Sequence, residues 1–273
     1  MAVSPAQRAS YAADHLSKIP FHSSPRHLAG PGDPRHVTHA LLAAGWSITS
    51  APGDPRLVLT GPDHARHRLR FDPLAHSYWQ IDAADRSWYA SFDRLVPAEI
   101  VAGFTDRLIS GPRRKDLGPW QRMTRAGWTV ERRPDGTGKA HSPGFHRLWV
   151  ESERRHEDAP TRLTWQIQAR PDYDRPLVWR MWINGIVPEH LLDGLAEQLV
   201  ATTPVVRSMY EYGGDSVQQE PSGLSPEQVV EAYAARLEAV RKLVRAERRS
   251  RRLTTSLPAP APPGTAPSPV PHR

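Results

Sequence analysis

The chain has 273 residues, 38% hydrophobic and 24% charged, with no cysteine and a formal net charge of +7. That length has room for one or two compact domains with real cores, and the missing cysteines exclude disulfides, thiolate metal sites and cysteine nucleophiles. Residues 1–240 carry 28 basic and 28 acidic side chains, so the whole excess sits in 241–273, which argues against a broadly cationic groove over the folded part.

Residues 1–25 read as a lead-in, with a short helix over Tyr11 to Ile19 closed by Pro20. No stretch reaches the ~18 apolar residues of a membrane helix, and the N-terminus lacks an apolar signal core, so a soluble, cytoplasmic protein without membrane contact is expected. A first unit spans 26–110. Asp33-Pro34 opens a helix that carries Val37, Leu41 and Ala44 on one face and ends at Gly45. Alternating segments follow at Arg56–Thr60, Arg68–Asp72, Trp79–Ile81 and Trp88–Phe92, the period-2 signature of half-buried strands. A closing helix begins at Pro97, with Ile100, Phe104 and Leu108 in a stripe.

A second unit, 117–202, keeps this order. Ala44-Gly45-Trp46 recurs as Ala126-Gly127-Trp128, and Trp79-Gln80-Ile81 as Trp165-Gln166-Ile167. Val96-Pro97-Ala98-Glu99-Ile100 recurs as Val187-Pro188-Glu189-His190-Leu191. Leu191, Leu195 and Leu199 repeat the closing stripe at an offset of 91 positions, as Gly194 repeats Gly103. Length differences fall in expected loops, Glu151–Arg162 and Pro171–Pro176. The expectation is therefore an α+β fold: two tandem repeats, each helix, four or five antiparallel strands, helix. Two such units can share one continuous sheet or pack back to back, and the sequence does not choose.

Residues 203–224, with Gly213-Gly214 and Pro221-Ser222-Gly223, read as a linker. Ser225-Pro226-Glu227-Gln228 is a strong helix start, a Ser cap with Pro at the first position and Gln three on. The helix, 225–253, is amphipathic: Val229, Tyr233, Leu237, Val240 and Val244 form a stripe suited to docking on the core or a partner. The Pro/Ala-rich tail, 254–273, reads as disordered.

Several of these segments together resemble an actinobacterial family. They are the Ala44-Gly45-Trp46 anchor, the Trp79-Gln80-Ile81 and Trp88-Tyr89-Ala90-Ser91-Phe92 strands, the Pro97-Ala98-Glu99-Ile100 helix start and the opening Ser24–Asp33. The family is the domain of unknown function numbered 317, whose members often carry the domain in tandem. The likeness covers about 24–110 well; in the second copy Arg180-Met181-Trp182-Ile183 replaces the Tyr-Ala-Ser-Phe pattern. The resemblance implies a tandem α+β architecture and a streptomycete-like source, and it supplies no catalytic residues.

Candidate chemistry is sparse. His36/His39 and His64/His67 are spaced like the start of a metal site but lack the intervening Glu and a third ligand. Gly136-Thr137-Gly138-Lys139 has neither the first Gly nor the Ser/Thr of a phosphate loop and reads as a hairpin turn. Asp82/Asp85 and Asp172/Asp174 are expected to be solvated loop charges. Trp46, Trp79, Trp88, Trp128, Trp165 and Trp179 fall on inferred core sides, whereas Trp182 points the other way, to a surface patch or the junction of the units. No catalytic, cofactor-binding or metal-binding residue is assigned. The expected role is a non-enzymatic protein-interaction module, acting on a protein partner or by self-association. The alternative is a nucleic-acid-associated protein making non-specific phosphate contact through Arg241, Lys242, Arg245, Arg248, Arg249, Arg251 and Arg252. The bias of 32 Arg over 4 Lys fits a GC-rich coding sequence and does not by itself signal nucleic acid.

Overall fold

Strand alternation and helix stripes resolve into a large sheet with helices packed on its apolar face, beside a second, small sheet. The protein is described by a computed structural model over residues 3–62, 66–144, 147–154, 163–171, 176–209 and 216–255. Helix α1 (Pro5–Leu16) and strand β1 (Pro20–Ser24) come first. Then come α2 (Arg35–Ala43), β2 (Ser47–Ile48), β3 (Leu57–Thr60), β4 (His67–Phe71), β5 (Trp79–Ala83), β6 (Trp88–Phe92) and α3 (Ala98–Ser110). The second half repeats that order with α4 (Pro119–Arg125), β7 (Thr129–Arg132), β8 (Gly138–His141), β9 (Arg147–Glu153), β10 (Leu163–Arg170), β11 (Trp179–Gly185) and α5 (Glu189–Leu199). Strands β12 (Val205–Ser208) and β13 (Gln218–Pro221) and helix α6 (Pro226–Thr255) complete the described chain.

Strands β2 to β11 form a single ten-stranded antiparallel sheet in the order β2-β3-β4-β5-β6-β11-β10-β9-β8-β7. The two halves run outward from a central pair, β6 and β11, in register Phe92↔Met181, Ser91↔Trp182, Ala90↔Ile183 and Tyr89↔Asn184. Continuous pairing, not back-to-back packing, is thus the arrangement adopted. Leu59, Leu69, Trp79, Ile81, Phe92, Ile167, Met181 and Ile183 project to one face and are buried with residues of α2, α3 and α5 in one core. Full burial of each such aliphatic side chain contributes about 1.5–3 kcal/mol. The six tryptophans expected in the core, Trp46, Trp79, Trp88, Trp128, Trp165 and Trp179, are all buried there.

Over the central strand pair, α3 crosses α5 where Gly103 meets Gly194. A Cβ on Gly103 would lie 2.6 Å from the Gly194 carbonyl oxygen, and one on Gly194 would lie 2.5 Å from that of Gly103. Absence of side chains lets the two backbones touch. Beside this crossing Asp193, fully buried, accepts from Arg122 at 2.7 and 2.8 Å and from Arg107 at 3.1 Å. Burial pushes the Asp193 carboxyl up, but the hydrogen bonds and charge of Arg122, with the charge of Arg107, outweigh it and hold the pKa below the usual value.

Two segment boundaries differ from the sequence reading. The helix expected over Tyr11 to Ile19 runs from Pro5 to Leu16 and starts on a Ser4/Gln7 capping box. Residues 203–224, expected to be a linker, supply β12 and β13, which flank β1 of the lead-in as a second, three-stranded sheet in the order β12-β1-β13. Gln218-Gln219-Glu220 has no apolar alternation, and its partner Phe21–Ser24 is nearly 200 positions away, so neither strand announces itself locally. Gly213-Gly214, His64, Asp172, Asp174 and residues 256–273 lie outside the described residues.

Candidate functional site

The alternation that buries one face of the sheet exposes the other. A single cross-strand row runs over the open face from Val58 through Arg70, Gln80, Ser91, Trp182, Gln166 and Glu151 to Lys139. Its neighbours on the next row are Arg68, Asp82, Tyr89, Asn184 and Thr164. The row is half-exposed, and no described helix lies across it. Trp182 stands at its centre, on the strand pair that joins the halves, with the Arg180 guanidinium 4.3 Å from its ring centroid. Tyr89, 50% exposed, stands one row away. Arg68 and Arg70 both reach Asp82, at 3.1 and 3.3 Å, and Lys139 pairs with Glu151 at 2.9 Å. The centre of the face is thus aromatic and amide-rich, with charges paired on its flanks. Aromatic and Arg side chains of this kind are the common anchors of protein interfaces.

The stripe of α6 docks on this chain's own core. Tyr233 and Leu237 are buried, and Val230, Val240 and Val244 pack beside them, while Val229 turns away to line a cavity. Ser225 and Gln228 form the expected capping box. The seat is built by α1, α2 and α3: Tyr233 stacks on Tyr11 at 3.6 Å and its hydroxyl bonds to His39 Nδ1, and Arg236 forms two hydrogen bonds to Asp106 at 2.9 and 3.0 Å. Tyr11 was not singled out as a core residue from sequence, although Ser4-Pro5-Ala6-Gln7 carries the same capping signal as Ser225-Pro226-Glu227-Gln228.

Electrostatics around the seat are strongly perturbed. Asp33 accepts from Arg35 through both carboxylate oxygens and contacts His15 at 2.9 Å; burial raises its pKa, but these bonds hold it well below the carboxylate range. Burial pushes Glu99 up, yet Arg207, bonded at 2.7 and 2.9 Å, holds it at about 2. His39 is lowered to about 4 by burial and the nearby Arg35 charge, and His36 is lowered by burial. Burial pushes Tyr233 up to about 12 and Tyr11 still higher. The His36/His39 pair does not converge: His39 bonds to Tyr233, while His36 sits edge-on to Tyr11 and Tyr233. Among the described residues no group of three His, Cys, Asp or Glu is placed to hold a metal ion.

The basic residues divide. Arg241 is half-buried, 3.7 Å from Glu238, whereas Lys242, Arg245, Arg248 and Arg249 are exposed on the far turns of α6. Arg248 also lies against Gly45 at the C-terminal end of α2. Arg251 and Arg252 belong to the helix, and their side chains lie outside the described residues. No helix among the described residues is long and apolar enough to cross a membrane.

Comparison with known proteins places one segment. Residues 60–114 match the family SPDY, domain of unknown function (DUF317), which here comprises β4, β5, β6 and α3. No curated protein matches, and no solved structure matches.

Proposed function

We propose that this chain is a cytoplasmic, non-enzymatic protein-interaction module of the actinobacterial kind, built from two copies of one α+β domain, and that it holds a protein partner across the open sheet face where the copies meet. Two facts support the duplication. Ser91 and Trp182, 91 positions apart, pair directly across β6 and β11, and Gly103 and Gly194, also 91 apart, face each other in the helix layer above. A local two-fold between repeated units brings equivalent positions opposite one another in this way. The observation that carries the interaction reading is Trp182, partly exposed under Arg180 at the centre of a sheet face that no described helix covers.

The test is sedimentation of the full chain and of a Trp182→Ala/Tyr89→Ala variant, joined to photocross-linking from position 182. Self-association, or one recurrent protein captured at 182 and lost in the variant, supports the reading. A monomer that captures no protein reproducibly overturns it.

The exposed Lys242, Arg245, Arg248 and Arg249 favour a second reading, non-specific phosphate contact by the end of α6. Fluorescence anisotropy of labelled duplex DNA over a salt series, against the full chain and a truncation ending at Val240, separates the two. Salt-sensitive binding lost on truncation promotes the nucleic-acid reading, and no binding at low salt removes it.

A further inference from the structure

A cavity of about 340 Å³ opens between α1, the three-stranded sheet and the first turns of α6, away from the open sheet face. That volume lies at the small-metabolite end of ligand pockets. Pro204, Val205, Leu224, Val229 and Ala232 supply apolar wall, and charged and polar side chains including Arg26, Asp33, His36, Glu99, Arg207 and Arg236 supply the rest.

Most of those polar groups are committed. Arg207 is saturated by Glu99 and by the carbonyls of Ala29, Gly30 and Val206. Asp33 is held by His15 and Arg35, and Arg236 by Asp106. Arg26 differs. Its Nη1 donates only to the Thr203 hydroxyl, at 3.3 Å, it makes no salt bridge among the described residues, and its buried Nε has no partner. Tyr11, 0% exposed and also lining the cavity, has a hydroxyl without a partner. The Nε and the Tyr11 hydroxyl are shut away from the cavity space, but the half-buried Arg26 guanidinium lines it without an ionic partner among the described residues and keeps donors for an incoming anion. His36, on the same wall, is kept neutral by burial, so it adds no positive charge.

The charge count points the same way. Lys18, Arg26, Arg207 and Arg236 line the cavity against Asp33 and Glu99. With Arg207 answered by Glu99 and Arg236 by Asp106, the charge left over is carried by Arg26 and, near the end of α1, Lys18. A single guanidinium fork beside apolar wall suits one planar anion on an apolar body.

We propose that this cavity binds a small organic carboxylate, its carboxylate on the Arg26 guanidinium and its apolar body against Val205, Leu224 and Val229. Because Val229 and Ala232 belong to α6, the bound acid also spans from the core to that helix.

The test is calorimetric titration of the full-length chain with hexanoate and benzoate, their amides, and inorganic phosphate. The acids are expected to bind, the amides to bind at least tenfold more weakly, and phosphate not to compete. Arg26→Gln is expected to weaken the acids tenfold or more. Ala232→Trp, at an exposed helix position on the cavity wall, blocks the chamber and is expected to abolish binding while circular dichroism and thermal midpoint stay unchanged. Amides as tight as acids, displacement by phosphate, no binding of either acid at millimolar concentration, or full binding by both variants overturns the proposal.

Discussion

The two halves of the sheet share an element order but not their surroundings. In the first, α2 and α3 are roofed by α6, which rests also on α1, and Tyr11, His39, Arg35 and Tyr233 are knitted beneath it. In the second, α4 and α5 pack on each other and on the sheet, and no described helix lies over them as α6 does over the first. The seam belongs equally to both, through β6–β11, the Gly103/Gly194 crossing and the Arg107–Asp193–Arg122 network. The difference teaches that the surroundings of the two halves are set by segments outside the large sheet, α1, β1, β12, β13 and α6, in addition to the longer strands β9 to β11 of the second half.

The largest expected effect comes from cutting the seam. Asp193→Ala removes the fully buried carboxylate that holds Arg122, while Arg107 keeps Asp116 at 2.9 Å and Glu197 at 3.3 Å, and loss of about 3 kcal/mol, the lower end for breaking a buried pair, is expected. Urea unfolding reads this directly, and a single shifted transition is expected because the sheet is continuous; two separated transitions would show that the halves fold independently. Leu237→Asp strikes only the roof. Placing a charge at this buried position is expected to cost about 3 kcal/mol and to expose α6 to proteolysis while the sheet persists. Unchanged stability and protease resistance would refute the docking of α6.

A smaller effect, about 1–3 kcal/mol by overpacking, is expected from Gly194→Ala, since its Cβ would meet the Gly103 carbonyl oxygen. Gly223→Ala provides a contrast: nothing lies within 4 Å of its Cβ, and strain of its positive φ is the only cost. The smallest effect is a pH dependence that the roof contributes through His39. His39 has a folded-state pKa of about 4, below its unfolded value of 6.5, so the unfolded chain binds the proton more tightly. Stability is therefore full above pH 6.5 and is lost as pH falls towards 4. Between pH 7 and 5 this amounts to about 1 kcal/mol after allowance for solvent screening. His39→Gln should reduce that slope in chemical-denaturation curves, with a residual slope from His36 and His190, both also lowered by burial; Glu99, held at about 2, titrates below this window.

The local patterns were legible where one residue's neighbours sufficed. Alternation at Trp79–Ile81 and Trp88–Phe92 located β5 and β6, and Gly45, with φ of 95°, ends α2 as a left-handed C-terminal residue should. The stripe Tyr233–Leu237–Val240–Val244 located the docked face of α6, though Val230 replaced Val229 in the core, since a helix stripe drifts by a fraction of a turn. The strand tryptophans Trp79, Trp88, Trp165 and Trp179 sorted to the core by parity and Trp182 to the opposite face, because side chains alternate faces with period 2.

Composition and periodicity by themselves determined the α+β class, the order of elements from α2 to α3, the buried faces of β3 to β6 and the confinement of excess charge to the C-terminal end. Tertiary structure alone decided that β6 would pair with β11 to make one sheet, that the lead-in and the supposed linker would meet as β12-β1-β13, and that α6 would roof the first half. The reason is the same in each case. Strand pairing is made by backbone hydrogen bonds, which every residue but proline offers alike, so the choice of partner follows from which edges and apolar faces remain uncovered once the chain has collapsed.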